Sequence, residues 1–445
     1  MGSVAAAMHA KGFTVTGSDE NVYPPMSTFL ESQGIQIFPG YKSENIPASA
    51  EVIVIGNAIS RGNEEAEAAL ERKLLYVSLP EVLKEHFLRG KRNLVVSGTH
   101  GKTTTSSLLT WLLESSGANP SHMIGGIPRN LGKGAAFTDS DFVVLEGDEY
   151  DTAFFDKRSK FLHYLPECVI VNNIEFDHAD IYDSLDEIKL TFQRLLNIVP
   201  RNGVAYVNGD CPNSLEVAKG APAPVVTVGL GDHCNLPIKD IDYGSQLTSF
   251  TLDGERYDLP MAGEFNVRNA AMAICAARFS GFSVKQIREG LMRFEGIARR
   301  QEVRGIAGGV RVIDDFAHHP TAIGLAVDSL RQQYDGSRLW VIFEPRSNTT
   351  RRNIFQDELA SALSKADLAV VPAVPDPEKV AEDERLDPQQ LVADVKASGK
   401  ECWYCESVNE IVELVVRESQ EGDTIAVLSN GGFGGIHEKL LGALG

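Results

Sequence analysis

Gly98-Thr99-His100-Gly101-Lys102-Thr103-Thr104-Thr105 sits between a short apolar run, Leu94–Ser97, and an amphipathic stretch, Thr104–Ser115. The first flank reads as a strand and the second as a helix, with Leu108 and Leu112 on one face. The glycine-rich segment is therefore a strand-to-helix loop. Glycines there let backbone N–H groups wrap phosphate oxygens. A lysine reaches the β and γ oxygens of a triphosphate, and the next hydroxyl is offered to Mg2+. That reading assigns Gly98, Thr99, His100, Gly101, Lys102, Thr103 and Thr104 to an ATP phosphate site, with Lys102 catalytic and Thr103 a metal ligand. The common form of this loop has its first glycine five residues before the Gly-Lys pair. Val96 stands there, so the loop is a shortened variant.

Further along the chain, Asp141–Glu146 and Cys168–Asn172 are apolar on both faces, as central parallel strands are. Short β-branched runs alternate with helical patterns almost throughout, which is the βαβ rhythm of an α/β protein. A chain of 445 residues suggests about three domains. The expected division is 1–91, 92–298 and 299–445, with a polar hinge at Lys91-Arg92-Asn93. The first part reads as a truncated Rossmann-like domain. It has a helix over Ser3–Lys11, a strand over Phe13–Gly17, a turn at Gly17-Ser18-Asp19 and a strand over Glu51–Gly56. The strand and glycine-rich turn that normally open such a domain are missing from the reading. The central part is a P-loop-type ATP-binding domain, with an antiparallel patch expected over Val204–Leu259. The third part is Rossmann-like. Its first strand is Val310–Asp314, followed by a helix over Thr321–Tyr334 and strands over Arg338–Phe343, Leu368–Val371 and Thr424–Leu428. Pro372–Pro388 reads as a surface excursion.

Hydrophobic residues make up 43% and charged residues 23%, ordinary for soluble domains. The formal charge is −19. A field of that sign opposes nucleic acid and anionic lipid as partners. Any phosphate site must then be made locally, by backbone N–H groups, helix N-termini and a few cations. No apolar run approaches the ~20 residues of a membrane helix. Six cysteines are scattered apart from Cys402-Trp403-Tyr404-Cys405. A single Cys-x-x-Cys without a second pair is expected to be structural, and a reducing cytoplasmic setting fits.

Three carboxylate- or amide-bearing segments follow strands. In Glu146-Gly147-Asp148-Glu149-Tyr150-Asp151, Glu146 comes first after its strand and is the expected Mg2+ ligand, since Mg2+ on ATP takes one or two carboxylates. Asp148, Glu149 and Asp151 fit a solvated acidic turn as well as a site. Asn172-Asn173-Ile174-Glu175-Phe176-Asp177-His178 brings amides, carboxylates and an imidazole to the same sheet edge, where His178 could bind a second cation. Asp314-Asp315-Phe316-Ala317-His318-His319-Pro320 could offer a carboxylate to ribose and Phe316 to a base. His318 and His319 are adjacent and would not face one ion the same way. Asn266 and Asn269 lie one helical turn apart. Their amides suit adenine, although Asn266 could equally be a helix cap.

Taken in this order, Gly98–Thr105, Glu146, Asn173–His178, Asn266/Asn269, Arg299-Arg300 and Asp314–Pro320 closely resemble the motifs of the Mur ligase family, which also contains folylpolyglutamate and cyanophycin synthetases. The resemblance covers essentially the whole chain. Four stretches, Gly17–Met26, Phe154–Lys160, Glu344–Thr349 and Ser429–His437, are similar to members that attach a recycled murein tripeptide rather than L-alanine. The resemblance implies an ATP- and Mg2+-dependent ligase of peptidoglycan recycling, acting on UDP-N-acetylmuramate and L-alanyl-γ-D-glutamyl-meso-diaminopimelate through an acyl phosphate. It implies metal binding by Thr103, Glu146 and His178, and adenine contact by Asn266 and Asn269. Arg300, Asp315 and His318 would close over ATP, with Arg300 catalytic. Ser18, Asp19, Asn57 and Ser60 would serve the nucleotide-sugar side, Arg346, Ser347 and Asn348 the peptide, and Asn173 would also bind substrate. Many members carry a carbamoylated lysine. Lys189 is the nearest lysine, but its spacing departs from that pattern, so it is not assigned. The expected setting is the bacterial cytoplasm, as a monomer or weak homodimer. Two rivals stay open: the alanine-adding ligase, and a non-catalytic nucleotide-binding protein.

Overall fold

The computed structural model describes residues 1–244 and 247–445. Its centre is a ten-stranded sheet. The strand Arg92–Ser97 lies between Phe142–Glu146 and Cys168–Val171, parallel to both. All three are almost entirely buried. One face carries Leu108, Leu109, Leu112 and the helix Glu264–Phe279. The other carries Phe161, Phe192, Leu195 and Leu196. A strand covered on both faces must be apolar on both, which is why these runs lack polar alternation.

The stretch expected to be antiparallel divides in two. Val204–Asn208 and Val225–Gly229 continue the parallel sheet. Only Leu236–Tyr243, Thr248–Leu252 and Glu255–Leu259 pair antiparallel to one another. The turn signal Asp253-Gly254 was local, whereas the parallel pairing depends on the distant strand Cys168–Val171.

The expected polar hinge is also built in. Arg92 opens the central strand and holds Glu167 at 2.7 Å. Asn93 is buried and donates to Leu88 O at 3.0 Å and Leu165 O at 2.9 Å. These polar groups satisfy buried carbonyls rather than mark a loose join.

The last part of the chain forms a six-stranded sheet. Its edge strand Glu302–Ala307 is antiparallel to Val310–Asp315, so Val310–Asp315 is its second strand rather than its first. Val310–Asp315, Thr424–Leu428, Leu339–Phe343, Leu368–Pro372 and Glu401–Cys405 are parallel in that spatial order. Cys402 and Cys405 are both free and buried, and they face opposite cores. Burial pushes both thiols up, to about 12 and about 11. Structural use of this pair is what the strand geometry allows.

The first 91 residues contain two separate parallel pairs, Thr16–Asp19 with Gln36–Pro39 and Ile53–Ile55 with Tyr76–Ser78. No hydrogen bonds join the pairs into one sheet. The helices Gly2–Ala10 and Leu79–Leu83 send Val4, Val82 and Leu83 into the core of the central sheet. The first strand begins at Thr16, later than expected, and Phe13 is exposed.

Candidate active site

The phosphate loop needs glycine for steric reasons. Gly98 has φ +125°, and a Cβ there would lie 3.0 Å from the backbone of Asn172 and Asn173. Gly101 has φ +80°, and a side chain there would collide with the amides of Asn172 and Asn269. Gly101 precedes the helix Lys102–Ser115, which has no side-chain cap. The first-turn N–H groups of that helix are thus free to face an anion. Val96, which departs from the common loop pattern, is a fully buried residue of the central strand.

Lys102 Nζ donates to Gly98 O at 2.7 Å and to the two Glu149 oxygens at 3.0 and 2.8 Å. Glu149 is 2% exposed, and its Oε1 lies 3.0 Å from His178 Nε2. Tyr182 and Ser159 hydroxyls hold the Glu149 carbonyl at 2.6 and 2.7 Å. Burial pushes the Glu149 carboxyl up, but Lys102 and His178 outweigh it and hold it at about 2. In the sequence Glu149 fits a solvated acidic turn at least as well as a site. The structure makes it the buried anion between Lys102 and His178. Its only sequence signal was its place after the same strand as Glu146.

Thr103 Oγ1 donates to Glu146 Oε1 at 3.1 Å, and Gly125 N donates to Glu146 Oε2 at 2.8 Å. Arg300, just before the edge strand Glu302–Ala307, donates to Thr103 Oγ1 at 3.3 Å. Burial pushes the Glu146 carboxyl above its usual range, because Gly125 N, Lys102 and Arg300 do not replace the lost water. A buried carboxylate short of positive charge, beside a hydroxyl, is a donor set suited to a hard divalent cation. Thr103, Glu146 and Arg300 thus meet at the Thr103 hydroxyl, while Lys102 and His178 meet at Glu149.

Asn269 also converges, since its Oδ1 accepts from Thr105 Oγ1 at 3.2 Å. Asn266 is not the helix cap, a position held by Gly263. Its Nδ2 donates to Ala262 O at 2.7 Å. Asn266 Oδ1 and Asn269 Nδ2 are buried without partners, as a site for a polar ring would leave them.

Other residues have different employment from that expected. Asn173 is taken up by the phosphate loop: its Oδ1 accepts His100 N at 2.8 Å and its Nδ2 donates to His100 O at 3.2 Å. It shapes the loop. Asp315 accepts Gln301 N at 2.8 Å and Ala317 N at 2.7 Å, one on each oxygen. Both bonds brace the turn. The guanidinium groups of Arg299 and Arg300 lie 5.2 and 5.0 Å from the Phe316 ring centre. His318 Nδ1 turns back to Phe316 O at 3.2 Å. Lys189 pairs with Glu216 at 2.9 Å, away from the site.

Ser18 and Asp19 end one parallel strand, and Asn57 and Ser60 follow another. Ligands in α/β sheets bind at such strand ends. Asn57 Nδ2 is already committed to Asp151, at 2.9 Å to its carbonyl and 3.0 Å to its carboxylate. Arg346 is half-exposed. Ser347 closes a small turn with Thr350 at 2.8 Å. Asn348 Nδ2 donates to Asp180 Oδ2 at 2.9 Å, and Thr349 Oγ1 to Asp177 Oδ1 at 2.9 Å. These two bonds tie the Arg346–Thr349 loop to the His178 turn, a link between segments about 170 residues apart that pattern reading could not find.

Comparison with known proteins follows this geometry. Residues 1–91, 96–277 and 299–431 match the family models described as "Mur ligase family, catalytic domain", "Mur ligase middle domain" and "Mur ligase, glutamate ligase domain". The chain is 42% identical to the UDP-N-acetylmuramate--L-alanyl-gamma-D-glutamyl-meso-2,6-diaminoheptandioate ligase of Escherichia coli K12, over 100% of this chain and 96% of that protein. It is 32% identical to a UDP-N-acetylmuramate--L-alanine ligase of Psychrobacter sp. PRwf-1, over 99% of this chain and 92% of that protein. Among solved structures, a murein peptide ligase from Psychrobacter arcticus superposes with a TM-score of 0.71 at 35% identity, covering 100% of this chain and 96% of that one.

Proposed function

The chain belongs to the Mur ligase family and is a ligase, and from that premise we propose that it uses ATP to join L-alanyl-γ-D-glutamyl-meso-diaminopimelate to UDP-N-acetylmuramate in the bacterial cytoplasm. The chain-long similarity to the tripeptide-adding ligase, above that to the alanine-adding ligase, carries the choice of acceptor.

The lactyl carboxylate of UDP-N-acetylmuramate attacks the γ-phosphorus of ATP, and the bond to the ADP oxygen breaks. The peptide's free amine then attacks the acyl carbon of the acyl phosphate, and phosphate leaves with the bonding pair while the amine gives up its proton. Phosphoryl transfer of this kind needs alignment and charge neutralisation more than covalent help. The loop N–H groups and Lys102 grip the triphosphate. Arg300 neutralises charge from the C-terminal side. Thr103, Glu146 and His178 would hold Mg2+, which when bound supplies further neutralisation at the transferred group. Glu149 keeps Lys102 and the His178 imidazole aimed into the cleft. Asn266 and Asn269 receive the adenine edge. Arg346 suits a peptide carboxylate, because its planar fork pairs with one bidentately.

A substrate panel tests the reading. Purified protein receives ATP, Mg2+ and UDP-N-acetylmuramate with either tripeptide or L-alanine, and phosphate release is followed. Faster release with tripeptide is the expected result. Faster release with L-alanine overturns the choice of acceptor, and no release with either, alongside retained ATP binding, favours the non-catalytic rival.

A further inference from the structure

We propose that His100, Glu175 and His319 form a binding site for a borderline-soft divalent cation of the zinc class, spanning the middle and C-terminal domains. This site is separate from the Thr103–Glu146–His178 set. One ligand atom from each of its three residues lies within 4.8 Å of the others. His100 Nε2 is 3.3 Å from Glu175 Oε2, and His319 Nδ1 is 3.7 Å from the same oxygen. Ligands at zinc-like bond lengths on a tetrahedron stand about 3.3 Å apart, so one edge already matches, a second needs a few tenths of an ångström, and the third, between the two imidazoles, lies within 4.8 Å. The two imidazoles are tilted by 45° with centres 4.6 Å apart, so they converge on the carboxylate.

The surroundings have the features of a ligand shell. His319 Nε2 lies 3.2 Å from Phe176 O. A proton on that nitrogen donates to the carbonyl and leaves Nδ1 as the lone-pair atom, the usual support for a metal-bound histidine. Thr321 N approaches Nδ1 at 3.3 Å, a long hydrogen bond that a cation would displace. Burial and the neighbouring His100 hold His319 down at about 4, so it is neutral near pH 7. Burial pushes Glu175 up, but His100 and Thr321 outweigh it and hold it at about 2, so it is ionised. Thr321 Oγ1 donates to Glu175 Oε2 at 2.7 Å and fixes its orientation. Two imidazoles and one carboxylate select zinc, cobalt or nickel over Mg2+, which prefers oxygen ligands. Three protein ligands also leave a fourth position open.

His100 belongs to the phosphate loop, whereas His319 caps the helix Pro320–Gln333 of the other domain. An ion here would clasp the two domains across the ATP cleft and oppose the opening that product release needs.

The test is titration of the full chain with Co2+ in excess Mg2+, followed by visible absorption and calorimetry, then displacement by Zn2+. The expected result is one equivalent bound with the intense visible bands of low-coordinate cobalt. His319→Ala and Glu175→Gln, each checked by circular dichroism, should weaken binding by at least about tenfold, while His178→Ala should leave the spectrum unchanged. If neither ligand variant changes the spectrum, if His178→Ala abolishes it, or if no cobalt binds to the unaltered chain, the site is a hydrogen-bonded contact only. If His319→Ala fails to fold, Glu175→Gln decides alone.

Discussion

The central sheet and the first 91 residues are both α/β, but they are held together differently. The phosphate loop stands on a continuous sheet buried on both faces. The first segment has two unjoined strand pairs and carries eight of the eighteen exposed large hydrophobic side chains among the described residues. Much of its own burial comes from Val4, Val82 and Leu83 entering the neighbouring core. The difference teaches that the Lys102–Glu149–His178 cluster is preorganised by a continuous buried sheet, whereas the strand ends of the first segment have less structure of their own to rely on.

Changing one charge in the built region gives the largest expected effect. Lys102→Ala should lower turnover by about a thousandfold or more, as loss of a cation on a transferring phosphoryl group does, measured as phosphate release at saturating substrates. Normal turnover would remove the loop from the mechanism and erase the contrast with the first segment. Next comes Glu149→Gln. Breaking a buried ion pair by removing one partner costs about 3 kcal/mol, so urea denaturation should show a loss of that order. Added ATP with Mg2+ should recover part of it, because phosphate supplies an anion to Lys102 and binding stabilises the folded state. Unchanged stability would mean that Glu149 does not balance Lys102 and His178.

Hydrogen exchange probes the two regions directly. Amides of Thr16–Asp19 and Ile53–Ile55 should exchange faster than those of Arg92–Ser97, since few buried apolar contacts mean a low opening free energy. UDP-N-acetylmuramate should slow the first set. Equal protection without ligand would show that the split sheet is as firmly held as the central one. The smallest effect is expected at the join. Asn57→Ala removes two exposed hydrogen bonds to Asp151 and should change global stability by less than about 1 kcal/mol, while raising exchange in the first segment. A large global loss would show that the first segment depends on this contact.

Much of the fold was legible because its signals are local. The apolar runs of Phe142–Glu146 and Cys168–Val171 announce buried strands, and Gly98–Thr105 announces a phosphate loop by residue type alone. Failures occurred where a partner is distant in sequence. Val204–Asn208 reads as turn-flanked and antiparallel until Cys168–Val171 is beside it. Asp315 reads as an isolated carboxylate until Gln301 N, fourteen residues back, is found on it. Asn173 looks like a substrate amide until it is found on His100.

The sequence by itself determined the local character of the Gly98–Thr105 loop, since its glycines, lysine and hydroxyls at fixed spacing act within their own short segment. Only the tertiary structure decided which anion balances that lysine. Glu146 and Glu149 follow the same strand, three residues apart, and nothing local tells them apart. The chain's path turns Glu149 under Lys102 and His178, with its carbonyl held by Tyr182 and Ser159, and leaves Glu146 beside Thr103. Charge pairing in a buried site acts through space, and spatial neighbours are set by packing rather than by spacing along the chain.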